Sequence, residues 1–423
     1  MFNLPITPER VVRQQLANGI VLLVCENQAS ASVAIEGQIL AGAQFEQTSQ
    51  QGLANLTAML LRRGSQQHSF QEMNQMLDNV GASLSMSADD SYASISGHAL
   101  AADLPLLLDL LSEMLLSPAL DEIEFTKTRG QLLTNLGILN NDTGYRAECA
   151  FSQAMYPGDH PYARSSYGSL ESVAALTIED VQWFYKTQYH PATLMLVIVG
   201  AIRAELVVQQ LERLLGTWQV AIPLPQQNVP FVDTPMGITT KRVALPEKSQ
   251  VDLIWGVIGM PRTSPDYYSA SMANLILGRL GMMGRLGARI RDELGLAYYV
   301  SSHLQSGTGP IPWNIVAGVN PAQVDRAVQE ILAEITRMRD NPISDDELTD
   351  CRSFLIGSLP IHLETNGDIA DQLLAIEEFH LGLDHLQRYS EIVNSVSKQD
   401  ILRVVNHYLT PDRYVLAMSG TFE

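Results

Sequence analysis

Two stretches hold the residues whose types and spacing bear on chemistry. The first is "RDELGLAY", Arg291 to Tyr298. A guanidinium and a phenol can both donate hydrogen bonds to an oxyanion developing on a peptide carbonyl. Arg291 falls near a helix end, Gly295 breaks that helix, and Tyr298 begins a strand, so the two tips could converge on one carbonyl. The plainer alternative is that Arg291 pairs with Asp292 or another surface carboxylate and that Tyr298 packs. On the residues alone, the alternative is favoured. The second stretch is "GLANLTAMLLRRGS", Gly52 to Ser65. A metal-holding helix places two ligands at i and i+4 on one face, with a glutamate between them as general base. No side chain of this run can hold zinc. Read by itself it is a core helix, with Leu53, Leu56, Met59 and Leu60 turned inward.

The elements that must position these residues come in two copies. Residues 177–201, "TIEDVQWFYKTQYHPATLMLVIVGA", align without a gap on residues 397–421, "SKQDILRVVNHYLTPDRYVLAMSGT". Thr177 meets Ser397, Asp180 meets Asp400, Pro191 meets Pro411 and Gly200 meets Gly420. In each copy a hydroxyl residue with Asp three residues on reads as a capping box opening a helix. A proline then stops the helix, and an apolar run reads as a buried strand. A second pair, "ISGHALAADLPLLLDLLSEML" (95–115) and "VAGVNPAQVDRAVQEILAEIT" (316–336), reads as a strand followed by an amphipathic helix. Pro118 with Asp121 and Glu124, and Pro342 with Ser344 and Glu347, open the next helix in each copy.

Between the copies, "VAIPLPQQNVPFVDTPMG" (220–237) has four prolines and reads as a stiff, extended linker. The expected organisation is therefore an N-terminal domain over 1–219, a linker over 220–237 and a homologous C-terminal domain over 238–423. Each should be α+β: a mostly antiparallel sheet with helices covering one face. The segment 16–42 offers an Asn18-Gly19 turn and then alternating strands.

Bulk properties exclude some classes. The chain has 423 residues and a net charge of −19, which argues against nucleic-acid binding, since phosphate contacts need a basic surface. An acidic surface keeps a protein soluble and could attract basic ligands. Cys25, Cys149 and Cys351 are far apart and form no disulfide framework or metal knuckle. The N-terminus has no signal-peptide core and no apolar run spans a bilayer, so the expected location is cytoplasmic, or periplasmic if a leader was removed. Among the nine histidines, His380 and His385 are five apart and diverge around a helix, and His160 and His190 belong to loop-like His-Pro pairs. The glycine-rich run "LILGRLGMMGRLG" (275–287) lacks the GK[ST] ending of a phosphate loop. Close backbone packing, or a flexible gate over a cleft, is the expectation there, and Arg279 and Arg285 could touch a peptide.

In its frame, Gly52–Ser65 resembles the inverted HxxEH helix of the insulinase, pitrilysin and mitochondrial processing peptidase family of zinc metallopeptidases. "AGAQFE" (41–46), "HPYARSSYGSLESVAALTIEDVQWFYKTQYHPATLMLVIVG" (160–200) and "GRLGARIRDELGLAYYV" (284–300) are similar to further segments of that family. Taken in order, they extend the resemblance over nearly the whole chain. On that resemblance Asn55 and Met59 occupy the two histidine positions and Ala58 the glutamate position. The further zinc-binding glutamate falls near Asn135, in "RGQLLTNLGILNNDTG" (129–144), with Thr134 and Leu136 as its neighbours. Asparagine is a poor zinc ligand, methionine prefers softer metals, and alanine cannot move a proton.

The resemblance also implies that Arg291 and Tyr298 match an arginine and tyrosine that hold the substrate backbone beside the scissile bond. The chain thus looks like the non-catalytic, substrate-binding subunit of a heterodimeric peptidase. No zinc is expected on it, and zinc is expected on a homologous partner subunit facing it across a closed chamber. Substrates would be extended peptides. Other readings are a structural core-type subunit, a stand-alone peptide-binding pseudo-peptidase, and, for the isolated chain, a homodimer.

Overall fold

The computed structural model of the chain describes residues 6–227 and 229–422. The described residues form two compact units, one of residues 6–136, 165–227 and 359–387, the other of residues 137–164, 229–358 and 388–422. Each unit is built on one sheet.

In the first unit the strands are β1 (Val11–Gln15), β2 (Val21–Glu26), β3 (Ser32–Ile39), β4 (Ser83–Ala88), β5 (Ala93–Leu100) and β6 (Met195–Gly200), in the order β1-β2-β6-β3-β5-β4. In the second they are β7 (Ile238–Ala244), β8 (Val251–Ile258), β9 (Ala297–Leu304), β10 (Pro312–Val319) and β11 (Tyr414–Gly420), in the order β7-β11-β8-β10-β9. Setting β1 aside, the two orders are the same when the strands are matched in sequence. Each sheet has one parallel pair, β2/β6 and β7/β11, and its other pairs are antiparallel. The fold is therefore α+β with two copies of one mostly antiparallel topology, as the internal repeat implies.

The local signals of the repeat have physical counterparts. Thr177 and Asp180 exchange hydrogen bonds as a capping box at the start of the Ile178–Gln188 helix, and Ser397 and Asp400 do the same for Lys398–Tyr408. These boxes satisfy backbone donors that the first helical turn leaves unpaired. Among the described residues, no helix or strand lies between Leu215 and Ile238, where the prolines cluster.

One face of each sheet is covered by helices of its own half of the sequence. In the first unit, Leu53, Leu56, Leu107, Leu111, Val181 and Phe184 join β-strand residues such as Ile35, Ile95 and Ile198 in one core. The other face is covered by a helix from the opposite half. Leu363, Ile369, Ala370, Leu373 and Ile376, on and before the Asn366–Glu378 helix, pack on Leu23, Cys25, Val197 and Val199 of β2 and β6. In the second unit, Ala147, Ala150, Phe151 and Met155 of the Thr143–Met155 helix pack on Ile254, Ile258, Val415 and Ala417 of β8 and β11. The two copies have traded equivalent helices. A helix on the second face of each sheet is thus added to the one-face arrangement expected from the sequence. Among the described residues no helix is long and apolar enough to cross a membrane.

Candidate functional site

The Leu53–Leu61 helix is buried nearly all round: Leu53, Ala54, Asn55, Leu56, Thr57, Ala58, Leu60 and Leu61 are all inaccessible. Met59, expected to face inward, is instead half-buried. The helix begins at Gly52, whose backbone is left-handed with φ 91. Its open amides are closed from a distance. The buried Glu46 carboxylate accepts from the Gly52 amide at 3.1 Å and the Ala54 amide at 2.7 Å. A negative group at a helix N-terminus is favoured by the orphan donors and by the helix dipole. Asn135 is exposed on the Glu122–Leu139 helix, between exposed Thr134 and buried Leu136. Leu132 and Leu136 share one apolar core with Leu56 and Leu60.

An amide, a methyl and a thioether at positions 55, 58 and 59 do not form a zinc donor set, which takes imidazole, thiolate or carboxylate. Among the described residues no three His, Cys, Asp or Glu side chains gather in a group able to hold a metal. His160 and His190 act as local caps, accepting from the Tyr162 and Ala192 amides. His160 also stacks on Tyr156 with ring centroids 4.8 Å apart, and burial lowers its pKa.

The second unit presents Arg291 and Tyr298 together. The chain from Tyr267 to Asn274 is α-helical, widens into a π-helix over Leu275–Arg279, turns, and returns as a second π-helix over Gly287–Glu293. The turn is tight because two glycines touch. A Cβ on Gly284 would lie 2.8 Å from the Gly278 Cα, and one on Gly278 would lie 2.9 Å from the Ser302 amide nitrogen. Close packing is therefore the role of these two glycines. The second π-helix carries Arg291 and ends at Gly295, which takes the left-handed φ of 61. There the Gly295 amide donates to the Arg291 carbonyl at 3.1 Å and the Leu296 amide to the Ile290 carbonyl at 2.9 Å. π-turns are rare and concentrate at functional sites.

Strand β9, an edge of its sheet, begins two residues later. Its register with β10 slips: Gly318 faces Tyr299, but Val319 faces Ala297. Tyr298 is the extra residue of a β-bulge, a device that re-aims a side chain. The strand is pinned just after this irregularity, at two points. Tyr299 donates to the buried Asp252 at 2.6 Å, and Gln250 and Thr143 donate to the same carboxylate. Burial is the main cause that raises the Tyr299 pKa, and the hydrogen bond to Asp252 adds to it. Further along, Ser302 donates to Asn274 at 2.6 Å, and the Trp313 indole reaches both at 3.0 and 3.1 Å. Tyr298 itself is 77% exposed. The Arg291 guanidinium carbon lies 5.8 Å from the centroid of its ring, within cation–π range. Among the described residues Arg291 forms no ion pair, with Asp292 or any other carboxylate.

Of the two further arginines of this region, Arg285 is engaged: it grips Glu347 with a two-pronged hydrogen bond at 2.7 and 3.0 Å. Arg279 is exposed. The bulge at Tyr298, the π-turns and the Glu46 cap carry no residue signature that pattern reading detects.

Comparison with known proteins agrees with this architecture. Residues 21–161 match the family model described as insulinase (peptidase family M16), and residues 175–355 match the one described as the peptidase M16 inactive domain. An uncharacterized zinc protease of Streptomyces coelicolor is 25% identical over 335 residues, covering 78% of this chain and 72% of the relative. The mitochondrial-processing peptidase subunit beta of Saccharomyces cerevisiae is 22% identical over 429 residues, covering 93% and 88%. A crystal structure of a peptidase M16 inactive domain from Pseudomonas fluorescens superposes with a TM-score of 0.90 at 21% identity, covering 98% of each chain. The chain belongs to the insulinase (M16) family of zinc metallopeptidases. It is similar to zinc proteases and to a processing-peptidase subunit, and it shares the two-domain fold of the inactive-domain structure.

Proposed function

We propose that this chain is the non-catalytic, substrate-holding subunit of a zinc-dependent peptidase, working with a homologous subunit that carries the zinc. The observation that carries the reading is the pairing of an exposed, ion-pair-free Arg291 with a bulged Tyr298 on a chain whose zinc helix offers Asn55, Ala58 and Met59. Arg291 has five N–H donors in a fixed fork and Tyr298 one phenolic donor. Both suit the carbonyl of an extended peptide, and neither can activate water. Proteolysis therefore needs a base and a metal from elsewhere, which a zinc-bearing homologue would supply.

The test is reconstitution. The chain alone is expected to leave an unstructured peptide uncut. Together with an HxxEH-bearing homologue from the same organism it should co-elute as a heterodimer and raise peptide cleavage well above that of either subunit. A purely structural subunit would support cleavage that is indifferent to Arg291→Ala. A stand-alone peptide-binding protein would bind peptide and form no stable complex with the homologue. A chain that cleaves peptide unaided would overturn the reading outright.

A further inference from the structure

We propose that Arg289 is a positioning residue for Arg291: an ion-pair brace behind the π-helix fixes the direction in which Arg291 points. The inference rests on the reading of Arg291 and Tyr298 as a peptide-holding pair. Two residues along a helix correspond to roughly half a turn, so Arg289 leaves the Gly287–Glu293 helix on the side away from Arg291. There its Nε donates to Glu330 at 3.2 Å and its Nη1 to Glu293 at 2.8 Å. Glu330 belongs to the Val324–Asp340 helix. Among the described residues, Arg289 is the only member of the π-helix joined to another helix by an ion pair.

The brace is set in a wider array. Arg285, just before the π-helix, holds Glu347 on the Asp345–Ser358 helix, and Glu347 also accepts from the Ser344 amide at 2.8 Å. Arg337 donates at 2.5 Å to Glu334, which is 2% exposed. These side chains line a cleft of about 450 Å³. The Arg289 and Glu330 side chains are 34% and 23% exposed, so their pairing is less screened than that of a fully exposed pair. A π-turn is rare in its own right and needs support from outside. The Glu330 contact ties the π-helix to its neighbour, and the Glu293 contact within the π-helix holds the guanidinium fork in place for it, which one flexible ammonium does less well.

Two measurements on the full chain test this. Amide hydrogen exchange over residues 287–296 is the first, and steady-state cleavage of an unstructured peptide by the reconstituted pair is the second. Arg289→Ala and Glu330→Gln should each speed exchange at Leu294, Gly295 and Leu296 about tenfold while leaving the β10 amides unchanged. Both should lower kcat/KM about tenfold, with the loss divided between KM and kcat in the same proportion as for Arg291→Ala. Arg289→Lys should fall between wild type and Arg289→Ala in both measurements. Unchanged exchange or unchanged kcat/KM in Arg289→Ala, with Arg291→Ala impaired, overturns the brace and leaves the peptide-holding reading standing. An Arg291→Ala protein that matches wild type overturns the peptide-holding reading and the brace with it.

Discussion

The Arg291 guanidinium carbon stands 5.8 Å from the centroid of the Tyr298 ring, which ties the last turn of a π-helix to the bulged residue of an edge strand. Ile290 of the Gly287–Glu293 helix is buried in the core, whereas Arg291 and Tyr298 are exposed. Bulges and π-turns interrupt regular hydrogen bonding and persist where the surroundings hold them in place. Here Asp252, Asn274 and Ser302 hold the strand, and Gly278 packed on Gly284 holds the turn. The result is an arginine and a tyrosine presented to solvent side by side.

The chain should carry no zinc. Metal analysis of purified protein is expected to find less than about a tenth of an equivalent, and chelator should leave the thermal midpoint where it was. A zinc held at a thousand times its dissociation constant would stabilise the protein by about 4.1 kcal/mol. At about 2–4 °C per kcal/mol for a domain of this size, its removal would lower the midpoint by roughly 8–16 °C. A stoichiometric zinc, lost on mutation near Asn55, defeats the assignment of this helix to the core.

Cutting the proline-rich segment should not release its two sides. A protease site placed between Pro225 and Gln226 leaves Leu373 and Ile376 buried on β2 and β6, and Phe151 buried on β8 and β11. The cleaved chain should elute as one species in size-exclusion chromatography and come apart only on denaturation. Leu373→Ala removes a fully buried side chain and should cost about 2–5 kcal/mol, read as an earlier urea midpoint. Fragments that separate spontaneously would show that the exchanged helices contribute little.

What could be read from the sequence was local or repeated. The capping boxes at Thr177 and Ser397 and the break at Gly295 depend on neighbouring residues, and each has its counterpart in the structure. The common strand order follows from the repeat. What could not be read is non-local. The apolar stripe of Ile369, Leu373 and Ile376 announces that a face is buried, yet nothing in it names the sheet that buries it. Glu46 caps a helix that begins several residues downstream, through a side chain whose type alone predicts exposure. The bulge at Tyr298 is set by contacts of Tyr299 and Ser302 with residues on β8, β10 and the Tyr267–Asn274 helix. The residues proposed to hold substrate were found through a family resemblance, because Arg and Tyr seven apart are common on any surface.

The contribution of Glu36 to stability should fall as pH rises through the acid-to-neutral range. Burial pushes its carboxyl from 4.5 up to about 7, while the Ser96 hydroxyl opposes this shift and Asp371 adds to it. Between about pH 4.5 and 7 the folded state then binds more protons than the unfolded chain. The Glu36 contribution is therefore fully present below 4.5 and lost as pH climbs through 7. Glu36→Gln removes this loss: its thermal midpoint should exceed that of wild type at pH 8 and fall less steeply between pH 4.5 and 8. Other raised carboxyls, Glu378 and Asp371 among them, act in the same direction, and His160, His190 and His303, lowered by burial, act against it, so the comparison of variant with wild type, not the slope of either, isolates Glu36. Parallel curves for the two proteins would show that Glu36 is solvated in the folded state.

Catalysis in trans is the sharpest test of the Arg291–Tyr298 pair. In the reconstituted heterodimer, Arg291→Ala and Tyr298→Phe should lower peptide cleavage without dispersing the complex. Losing one donor to a developing oxyanion costs about 2.7–4 kcal/mol, or about 10²–10³ in rate. That range is the expectation for Arg291→Ala. Tyr298→Phe should lose less, since a charged donor makes hydrogen bonds roughly twice as strong as a neutral one. Arg291→Lys should recover only part of the loss, because lysine keeps the charge and lacks the planar fork. The kinetic constants separate two roles. If the pair stabilises the transition state, kcat falls. If it only holds the ground-state peptide, KM rises and kcat is spared. Arg291→Ala also removes the cation beside the Tyr298 ring, so the double variant should lose less than the product of the single losses. Steady-state kinetics on an unstructured peptide read all four variants. Single variants that both match wild type within about twofold would make this chain a scaffold, with the π-helix and the bulge serving packing alone.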